Sequence, residues 1–501
     1  MRDKFNVIRI PEPGLEFRYG QILADPHDGL TIFGPHDSDQ PSHPRNITYA
    51  VIGTERGIEA FAAFSRALNS PQFSRPEPQN KRLWPPFPGF DAVFECVWPS
   101  EPAATQTIDG DALSECTKQR DPNKRAYSVV NSYLDPIVTL SKRDERFDVA
   151  ICVVPDEVWL NCRPQSTVKN PIGSTISPQE RKLRMAGERD FFDTYNVEQY
   201  RLSPDFRRQI KARSMEHWLP IQIVKESTLS LSDDYNSLGI SPLSDRAWNL
   251  STTLFYKSGG KPWRLATARE SVCYVGLAFR KPDPNILGNS AVCAAQMFID
   301  TGDGIVFMGE DRPWYSSDKK QFHLGRRAAT NLLLGVLKTY EELDGRPLKE
   351  IFLHSRSEIN AEEFEGYQAA CPSDAKLVGI RVSRDRSGLR LFREGRRPIV
   401  RGTLLILDDK SAFLWTTGFK PELLTYDGWE VPVPLRIDIQ HGEADIVQVA
   451  TDILSLTKLN YNACKLGDSQ PVTVGFSDAV GEILVSNPDI KTRRPQFKFY
   501  I

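Results

Sequence analysis

Basic residues on one predicted helix offer the clearest opportunity for chemistry in this sequence. The segment 206–213 reads FRRQIKAR, in which Arg207 and Lys211 are four residues apart and therefore share one face of a helix. A phosphate dianion binds well where several cationic donors converge, ideally near a helix N-terminus. The segment therefore predicts a phosphate-binding face, and a solvated basic helix is the alternative interpretation.

A second concentration of positive charge lies between Arg381 and Arg401. This stretch contains eight arginines and two acidic residues, a local balance of +6. The planar guanidinium group suits contacts to phosphate oxygens, and several such groups can follow a nucleic-acid backbone without reading its sequence. We expect Arg390, Arg396 and Arg397 to make backbone contacts, and a solvated hairpin is the alternative.

Cysteine and histidine residues form no pattern that would hold a metal or activate a nucleophile. The eight cysteines are scattered without a C-x-x-C pair, and the seven histidines form no H-x-x-x-H pair on a plausible helix. Several cysteines lie in apolar runs, so we predict small buried side chains in a reducing compartment. The sequence also has no G-x-x-x-x-G-K-[ST] nucleotide-binding motif.

Length and charge set the broad class of the protein. The chain has 501 residues, of which 40% are hydrophobic and 26% are charged, as in ordinary globular proteins of roughly two to four domains. A net charge of −2 excludes a uniformly basic coat for nucleic acid but leaves room for a basic groove. We find no secretory signal and no apolar run of transmembrane length, so we expect no membrane association and a cytoplasmic location.

The order of the expected elements changes near residue 268. In the first part, helices and strands alternate, which indicates an α/β layer; they are expected over 55–68, 147–154, 219–224 and 243–257. In the second part, three antiparallel strands precede alternating helices and strands, which is the order of an RNase H-like fold. These elements are expected over 272–279, 291–299, 305–308, 326–343, 350–354, 361–370 and 376–382, with a last amphipathic helix over 444–459.

Four segments of the chain resemble the prokaryotic Argonautes of the short type, which consist of a MID and a PIWI domain. They are LEFRYGQILADPHDGLTIFGP (15–35), FYKSGGKPWRL (255–265), DILSLTKLNYN (452–462) and FKFYI (497–501). The resemblance implies an α/β protein, with a Rossmann-like MID domain and its N-terminal segment in residues 1–268 and an RNase H-like PIWI domain in residues 269–501. It leaves no room for the N and PAZ domains of long Argonautes, and it implies that the apolar tail returns to the MID domain.

The resemblance also implies how the phosphate-binding face is used. Arg207, Lys211, Gln222 and Lys257 match the positions that grip the 5′-phosphate of a guide strand, although members of the family often carry histidine where this chain has Arg207. The family further uses the C-terminal carboxylate, here Ile501, to share a bound Mg²⁺ with that phosphate. Guided binding reads sequence by base pairing, so few contacts to base edges are needed.

The catalytic positions of the family are altered in this sequence. An RNase H-like nuclease holds two metal ions between carboxylates, but Ala278 stands at the first of these positions and Arg356 at the second. A carboxylate remains at Asp478, near the last position, and we interpret it as a helix-start or surface residue. The chain is therefore expected to lack nuclease activity.

The resemblance implies a function, a guide, a target and a partner for this protein. It implies a catalytically inactive Argonaute that loads a guide, expected to be 5′-phosphorylated RNA, and recognises complementary single-stranded DNA. Such proteins form complexes of the SPARTA and SPARSA type with an APAZ-domain protein that carries an effector, and target binding then activates NAD(P)⁺ depletion in immunity against plasmids and phage. A TIR effector is favoured over a sirtuin-like one by FYKSGGKPW and SAFLWTTGF (411–419), and the activated complex has the potential to oligomerise.

Two alternatives from other classes remain open at this stage. One is an active guide-directed nuclease that uses other carboxylates, for example Asp300, Asp303 or Glu310. The other is an RNase H-like interaction scaffold that binds no nucleic acid. A cleavage assay and a test for co-purifying nucleic acid distinguish them from the guided-binding interpretation.

Overall fold

The computed structural model describes residues 6–74, 82–186, 196–232, 239–280, 292–298, 304–309, 313–343, 345–487 and 494–501. The strands of the first half are β1 (Asn6–Arg9), β2 (Leu15–Glu16), β3 (Ile22–Leu23), β4 (Tyr49–Gly53), β5 (Ala104–Thr107), β6 (Val149–Val154), β7 (Ile221–Lys225) and β8 (Arg264–Leu265). Its helices are α1 (Pro26–Phe33), α2 (Glu55–Leu68), α3 (Phe90–Phe94), α4 (Gly110–Thr117), α5 (Pro122–Ser141), α6 (Asp156–Asn161), α7 (Pro178–Met185), α8 (Val197–Arg201), α9 (Phe206–Ser214) and α10 (Leu243–Lys257).

The second half contains longer strands. They are β9 (Val272–Arg280), β10 (Val292–Phe298), β11 (Gly304–Met308), β12 (Trp314–Ser316), β13 (Gln321–His323), β14 (Glu350–Ser355), β15 (Lys376–Arg384), β16 (Thr403–Ile406), β17 (Ser411–Leu414) and β18 (Leu435–His441). The helices are α11 (Arg326–Leu343), α12 (Ala361–Ala370), α13 (Ile446–Leu456) and α14 (Val472–Leu484).

A parallel sheet organises the first half. Its strands lie in the order β5-β4-β6-β7, and every pairing among them is parallel. Strand β6 is buried along its whole length, as its continuous apolar sequence predicts. Helices pack on both faces of this sheet, so the predicted Rossmann-like layer is confirmed.

A larger mixed sheet organises the second half, with the order β1-β16-β17-β18-β15-β14-β9-β10-β11 among the described strands. Strands β9, β10 and β11 are antiparallel neighbours, whereas β14 and β15 continue the sheet in parallel with β9. This arrangement is the predicted RNase H-like order, so the predicted fold class is confirmed. Strand β1, from the N-terminal segment, pairs with β16 at the far edge of this sheet.

Close packing of helix α14 on strand β9 depends on a single glycine. A Cβ atom at Gly276 would lie 1.9 Å from the carbonyl oxygen of Thr473, a distance that no side chain tolerates. Glycine therefore allows helix α14 to cross directly over the strand that carries Ala278. This contact brings the C-terminal helix over the face of the sheet where the altered catalytic positions lie.

The element predictions agree with the structure except at a few boundaries. Helices α2, α10, α11 and α12 have the predicted bounds, whereas the helix predicted over 444–459 is shorter and spans Ile446–Leu456. It starts late because the Asp445 carboxylate caps it, accepting a hydrogen bond of 3.0 Å from the Val447 amide. The turn predicted at 300–304 falls mostly outside the described residues. In the described ranges, no helix is long and apolar enough to cross a membrane.

Buried ion pairs join the N-terminal segment to the second half. The Glu12 carboxylate lies 2.8 Å from Arg401 Nε and 3.1 Å from Lys458 Nζ, and all three side chains are at most 5% exposed. Lys458 also donates to the carbonyl oxygens of Pro13 and Ala24. Burial alone would raise the pKa of Glu12, but the charges of Arg401 and Lys458 outweigh burial and lower it. The carboxylate is therefore ionised and holds two buried cations.

Glu12→Gln should lower the free energy of unfolding at pH 7 by about 3–5 kcal/mol, because it leaves two buried cations without their carboxylate. Because folding lowers the pKa of Glu12, its contribution should be lost as the pH falls through that lowered value. Urea unfolding at a series of pH values measures both effects. The matched control is Glu101→Gln, whose exposed ion pair with Arg66 should contribute less than about 1 kcal/mol. Similar losses in the two variants would contradict this account.

Candidate nucleic-acid interface

Helix α9 presents the basic residues predicted to bind phosphate. The Asp205 carboxylate begins the helix by accepting a hydrogen bond of 3.0 Å from the Arg208 amide. Phe206 and Ile210 pack into the core of the parallel sheet. Since Arg207 and Lys211 each follow one of these core residues, they lie together on the adjacent face of the helix.

The apolar C-terminal tail returns to this face, as the resemblance implies. Residues 497–501 are buried except for Lys498. Lys211 Nζ donates a hydrogen bond to the main-chain oxygen of Ile501, and Lys257 Nζ donates to the same oxygen at 2.5 Å. We call Arg207, Lys211, Lys257 and Ile501 the tail pocket.

Lys257, the last residue of helix α10, connects this helix to both strand β7 and the tail. Its ammonium group donates hydrogen bonds of 3.1 Å to the carbonyl oxygens of both Ile221 and Lys498. The next residues, Ser258 and Gly259, leave the helix, and Gly259 adopts a φ of +102°, which favours glycine. The Lys-Ser-Gly-Gly sequence thus ends helix α10 where the lysine reaches the tail.

The tail pocket concentrates positive charge away from water. Burial lowers the pKa of Lys257 to about 7, and the charges of Arg207 and Lys498 lower it further in the same direction. Burial, Lys257 and Arg207 likewise place the pKa of Lys211 well below its ordinary value. Burial also lowers the pKa of Arg207. Buried cations that repel one another favour the binding of an anion between them.

The four predicted phosphate-binding residues are only partly brought together. Arg207, Lys211 and Lys257 are close enough for their charges to act on one another. Gln222 lies on strand β7 beside Ile221, but its amide donates at 3.2 Å to the carbonyl oxygen of Ile223 rather than pointing to the lysines. In this conformation the tail pocket therefore consists of cations and the Ile501 oxygen, with Gln222 at its margin.

The three positions that the resemblance assigns to catalysis, Ala278, Arg356 and Asp478, converge at one face of the large sheet. Ala278 is buried on β9, and a Cβ atom at Gly481 of helix α14 would lie 3.9 Å from its Cβ. Arg356 follows β14 and forms an ion pair with the Asp478 carboxylate. The Arg356 guanidinium also donates at 2.6 Å to the Gln470 side chain. Among the described residues of this face, the Asp478 carboxylate is thus paired with a guanidinium group.

Asp478 does not have the environment predicted from the sequence. We expected a helix-start or surface residue, but Asp478 lies inside helix α14 and its side chain is 21% exposed. Two guanidinium groups surround its carboxylate, because Arg280 Nη2 lies 3.6 Å from it in addition to Arg356. Because two guanidinium groups already pair with it, the Asp478 carboxylate is a poor ligand for a metal ion, and one carboxylate cannot hold a pair of metal ions alone.

Residues that sequence reasoning missed extend this ion-pair cluster to the first half. Arg280 Nη2 lies 3.0 Å from the Glu482 carboxylate, and Arg208 Nη2 of helix α9 lies 2.9 Å from the same group. A signal for both was present in the sequence. Arg280 is two residues after Ala278 on a strand, and Glu482 is four residues after Asp478 on a helix, so each shares a face with a residue already identified.

The basic stretch does not form a hairpin. Residues 385–402 connect β15 to β16 as a long loop, which we call the crossing loop. Strand β15 pairs with β18, whereas β16, the next strand in the chain, pairs with β1 and β17. Arg390, Arg396 and Arg397 are exposed in this loop. The guanidinium of Arg397 lies 4.4 Å from the centre of the Phe419 ring, which orients it on the surface.

Arg401 is an exception within the stretch. It was included in the local balance of +6, but it is 2% exposed and binds Glu12 and Thr457 in the core. Without Arg401 the balance of the stretch is +5. The sequence does not distinguish Arg401 from its neighbours because Glu12, its partner, is 389 residues away.

Metal-binding groups are absent from the described part of the chain. No group of three or more His, Cys, Asp or Glu side chains in the described ranges is arranged to hold a metal ion. Asp300, Asp303 and Glu310, the carboxylates of the alternative nuclease, lie outside the described residues.

Comparison with solved structures identifies the fold. The chain is similar to Clostridium butyricum Argonaute bound to a guide DNA and a 19-mer target DNA, with a TM-score of 0.64, 16% sequence identity, and coverage of 100% of this chain and 55% of that one. It is also similar to Aa-Ago with externally bound siRNA (TM-score 0.56, 13% identity, 99% of this chain and 56% of that one). A third similar structure is A. aeolicus Argonaute (TM-score 0.53, 14% identity, 97% of this chain and 53% of that one).

These similarities establish an Argonaute fold, and at such identities they establish the fold alone. The chain spans about half the length of the Argonautes that it matches. No family model and no curated protein matches the sequence.

Sulfate should stabilise the protein through the tail pocket, because it remains a dianion between pH 6 and 9 while Lys257 titrates. The rise in Tm should be larger at pH 6 than at pH 9, since Lys257, with a pKa of about 7, is cationic only at the lower pH. Lys257→Gln should remove most of this pH-dependent part, whereas Lys410→Gln, at an exposed position, should leave it unchanged. Thermal unfolding with and without sulfate measures the effect. A rise in Tm that does not depend on pH would indicate general salt stabilisation.

Proposed function

We propose that this protein is an Argonaute of the short type that binds the 5′-phosphate of a guide strand in the tail pocket. The observation that carries the proposal is the meeting of two buried lysine side chains at the Ile501 oxygen. Their mutual repulsion and burial favour an anion, and Arg207 adds a third cation beside them. A terminal phosphate is small enough to enter between a helix and a tail, whereas an internal phosphodiester carries chain on both sides.

The proposed guide is RNA, and the proposed target is complementary single-stranded DNA. The Argonaute fold supports guided binding, since the similar Clostridium butyricum protein is bound to a guide DNA and a target DNA. The exposed arginines of the crossing loop supply backbone contacts that do not read sequence. Base pairing with the guide then supplies the sequence recognition.

We further propose that the protein does not cleave its target. Ala278 provides no metal ligand, and Arg356 occupies the second catalytic position with its charge directed at Asp478. In this proposal the reaction belongs to a partner that contains an APAZ domain and an effector, with a TIR NADase favoured and a sirtuin-like NADase next. Target binding would activate NAD(P)⁺ depletion by the partner as a defence against plasmids and phage.

Magnesium enters this proposal only together with a guide strand. The contacts to the Ile501 oxygen come from two ammonium groups, so the pocket without guide does not fit a resident Mg²⁺. Guide phosphates would supply the oxygen ligands that Mg²⁺ prefers. Mg²⁺ is therefore proposed to bind at Ile501 only together with a guide, and no other part of the account depends on it.

Lys211→Glu should weaken loading of a 5′-phosphorylated guide at least tenfold, because it replaces a cation of the tail pocket by an anion. Pairing of the target with guide that has already been loaded should change much less, since Lys211 is buried at the guide end. Filter binding with labelled guide and then labelled target measures the two steps separately. Lys410→Glu is the control for charge. Equal loading by Lys211→Glu and wild type would refute the assignment.

Target cleavage should be absent when the guide-loaded protein is incubated with labelled target and Mg²⁺ or Mn²⁺. The reason is the shortage of metal ligands at the altered catalytic face. Denaturing gels over several hours provide the measurement, and Asp478→Ala is the matched variant. Cleavage by the wild type that disappears in Asp478→Ala would establish the alternative, an active nuclease.

Neutralising the exposed arginines of the crossing loop should reduce the salt dependence of target binding. In an Arg396→Gln/Arg397→Gln variant, the slope of log K against log salt concentration should fall by about one for each phosphate contact that is lost. Arg66→Gln, from the exposed pair on helix α2, serves as control. A slope equal to that of wild type would leave the loop as a surface feature without a role in binding.

A further inference from the structure

Arginines around Asp478 form a row that extends from helix α9 to the basic crossing loop. Arg208 pairs with Glu482, Arg280 pairs with both Glu482 and Asp478, and Arg356 pairs with Asp478. Arg381 then donates a hydrogen bond of 3.3 Å to the carbonyl oxygen of Arg356. We call these four arginines the arginine row.

The arginine row carries more positive charge than its own carboxylates offset. Three guanidinium groups share the carboxylates of Asp478 and Glu482, and Arg381 adds a fourth beside Arg356, so the row has two more positive charges than these two carboxylates offset. The side chains of Arg208 and Arg280 are each 33% exposed and that of Arg356 is 43% exposed. Ion pairs with this exposure are weak, so a phosphodiester, which carries the same single charge as a carboxylate, can compete with Asp478 for these guanidinium groups.

The sites at the two ends of the arginine row favour nucleic acid as the anion that binds to it. At one end, Arg208 is next to Arg207 of the tail pocket on the same helix. At the other end, Arg381 begins the basic stretch that leads to Arg396 and Arg397. The middle of the row, Arg280 and Arg356, therefore lies between a pocket for a terminal phosphate and a loop suited to a backbone.

We propose that Arg280 and Arg356 form a phosphodiester-binding site that works without a metal ion. This inference rests on the proposed function and adds a site to it. In the free protein the Asp478 carboxylate holds the two guanidinium groups in place. On binding, a phosphodiester of the guide or target strand accepts their hydrogen bonds, with the fork of Arg356 suited to two oxygens of one phosphate. The face thus positions a strand where a nuclease would cut it.

The first test combines protein variants with uncharged linkages in the nucleic acid. The probes are a 5′-phosphorylated RNA guide and a complementary DNA in which one methylphosphonate linkage is moved along either strand. With wild type, one or two positions should weaken duplex binding about tenfold, as expected for the loss of a hydrogen-bonded charge pair. In Arg280→Gln/Arg356→Gln the same positions should have no further effect, whereas Arg66→Gln should respond like wild type.

The strand in which those positions lie identifies whether guide or target supplies the phosphodiester. If the double variant loses affinity at every methylphosphonate position as wild type does, the phosphodiester-binding site is refuted. Guide loading is measured first and separately. A wild type that loads no guide overturns the proposed function itself, while normal loading with unchanged linkage effects overturns only this site.

Asp478→Asn gives an independent test that keeps both arginines. Removing the competing carboxylate should strengthen target binding severalfold and leave the salt slope unchanged, because the guanidinium groups become free for phosphate. If Asp478→Asn weakens target binding relative to wild type, the ion pairs serve only to hold helix α14 to the sheet. That result also decides the question if the double variant fails to fold.

Discussion

Two lysine ammonium groups that share one main-chain oxygen are the interaction on which the arrangement of this protein depends. Lys211 lies on helix α9 and Lys257 ends helix α10, yet both donate to Ile501, the last residue of the chain. The pairing draws the tail of the second half into the first half and buries it there. It also places both lysines away from water, where burial and the neighbouring cations lower their pKa values. An anion at this point relieves that cost.

The same separation of charge explains how a near-neutral protein can present a nucleic-acid surface. The net charge is −2, but the tail pocket, the arginine row and the crossing loop each carry an excess of cations. The buried acid Glu12 pairs with Arg401 and Lys458 and so holds the two halves together. At the face that carries Ala278 and Arg356, three arginines surround the carboxylates of Asp478 and Glu482. This arrangement fits the proposal that the protein binds a target without cutting it.

Local pattern predicted the fold well, because the elements are long and periodic. The helix over 326–343 and the strand over 272–279 were predictable from their own residues, and the order of the strands followed from them. The convergence of Lys211, Lys257 and Ile501 was accessible only through the resemblance of separate segments to a family. No spacing rule connects residues that are 290 and 244 positions apart in the chain.

The errors have a common physical cause, which is that partners distant in sequence decide the role of a charged residue. Arg401 looked like a surface arginine because its neighbours in sequence are basic, but Glu12 makes it part of the core. Asp478 looked like an isolated acid until Arg280 and Arg356 were found on either side of it. Arg280 itself was within reach of a period-two argument from Ala278. Ion pairs between residues that are distant in sequence, unlike the periodicity of a strand, cannot be predicted from a short segment of the sequence.

The central claim is that the tail pocket binds a terminal phosphate, and the affinity for guides that differ only in that group tests it most directly. Equilibrium dissociation constants should be measured for the wild-type protein with one RNA sequence carrying either a 5′-phosphate or a 5′-hydroxyl group. The account predicts at least about tenfold tighter binding of the phosphorylated guide, corresponding to one charge-assisted contact or more. Equal dissociation constants for the two guides would contradict it.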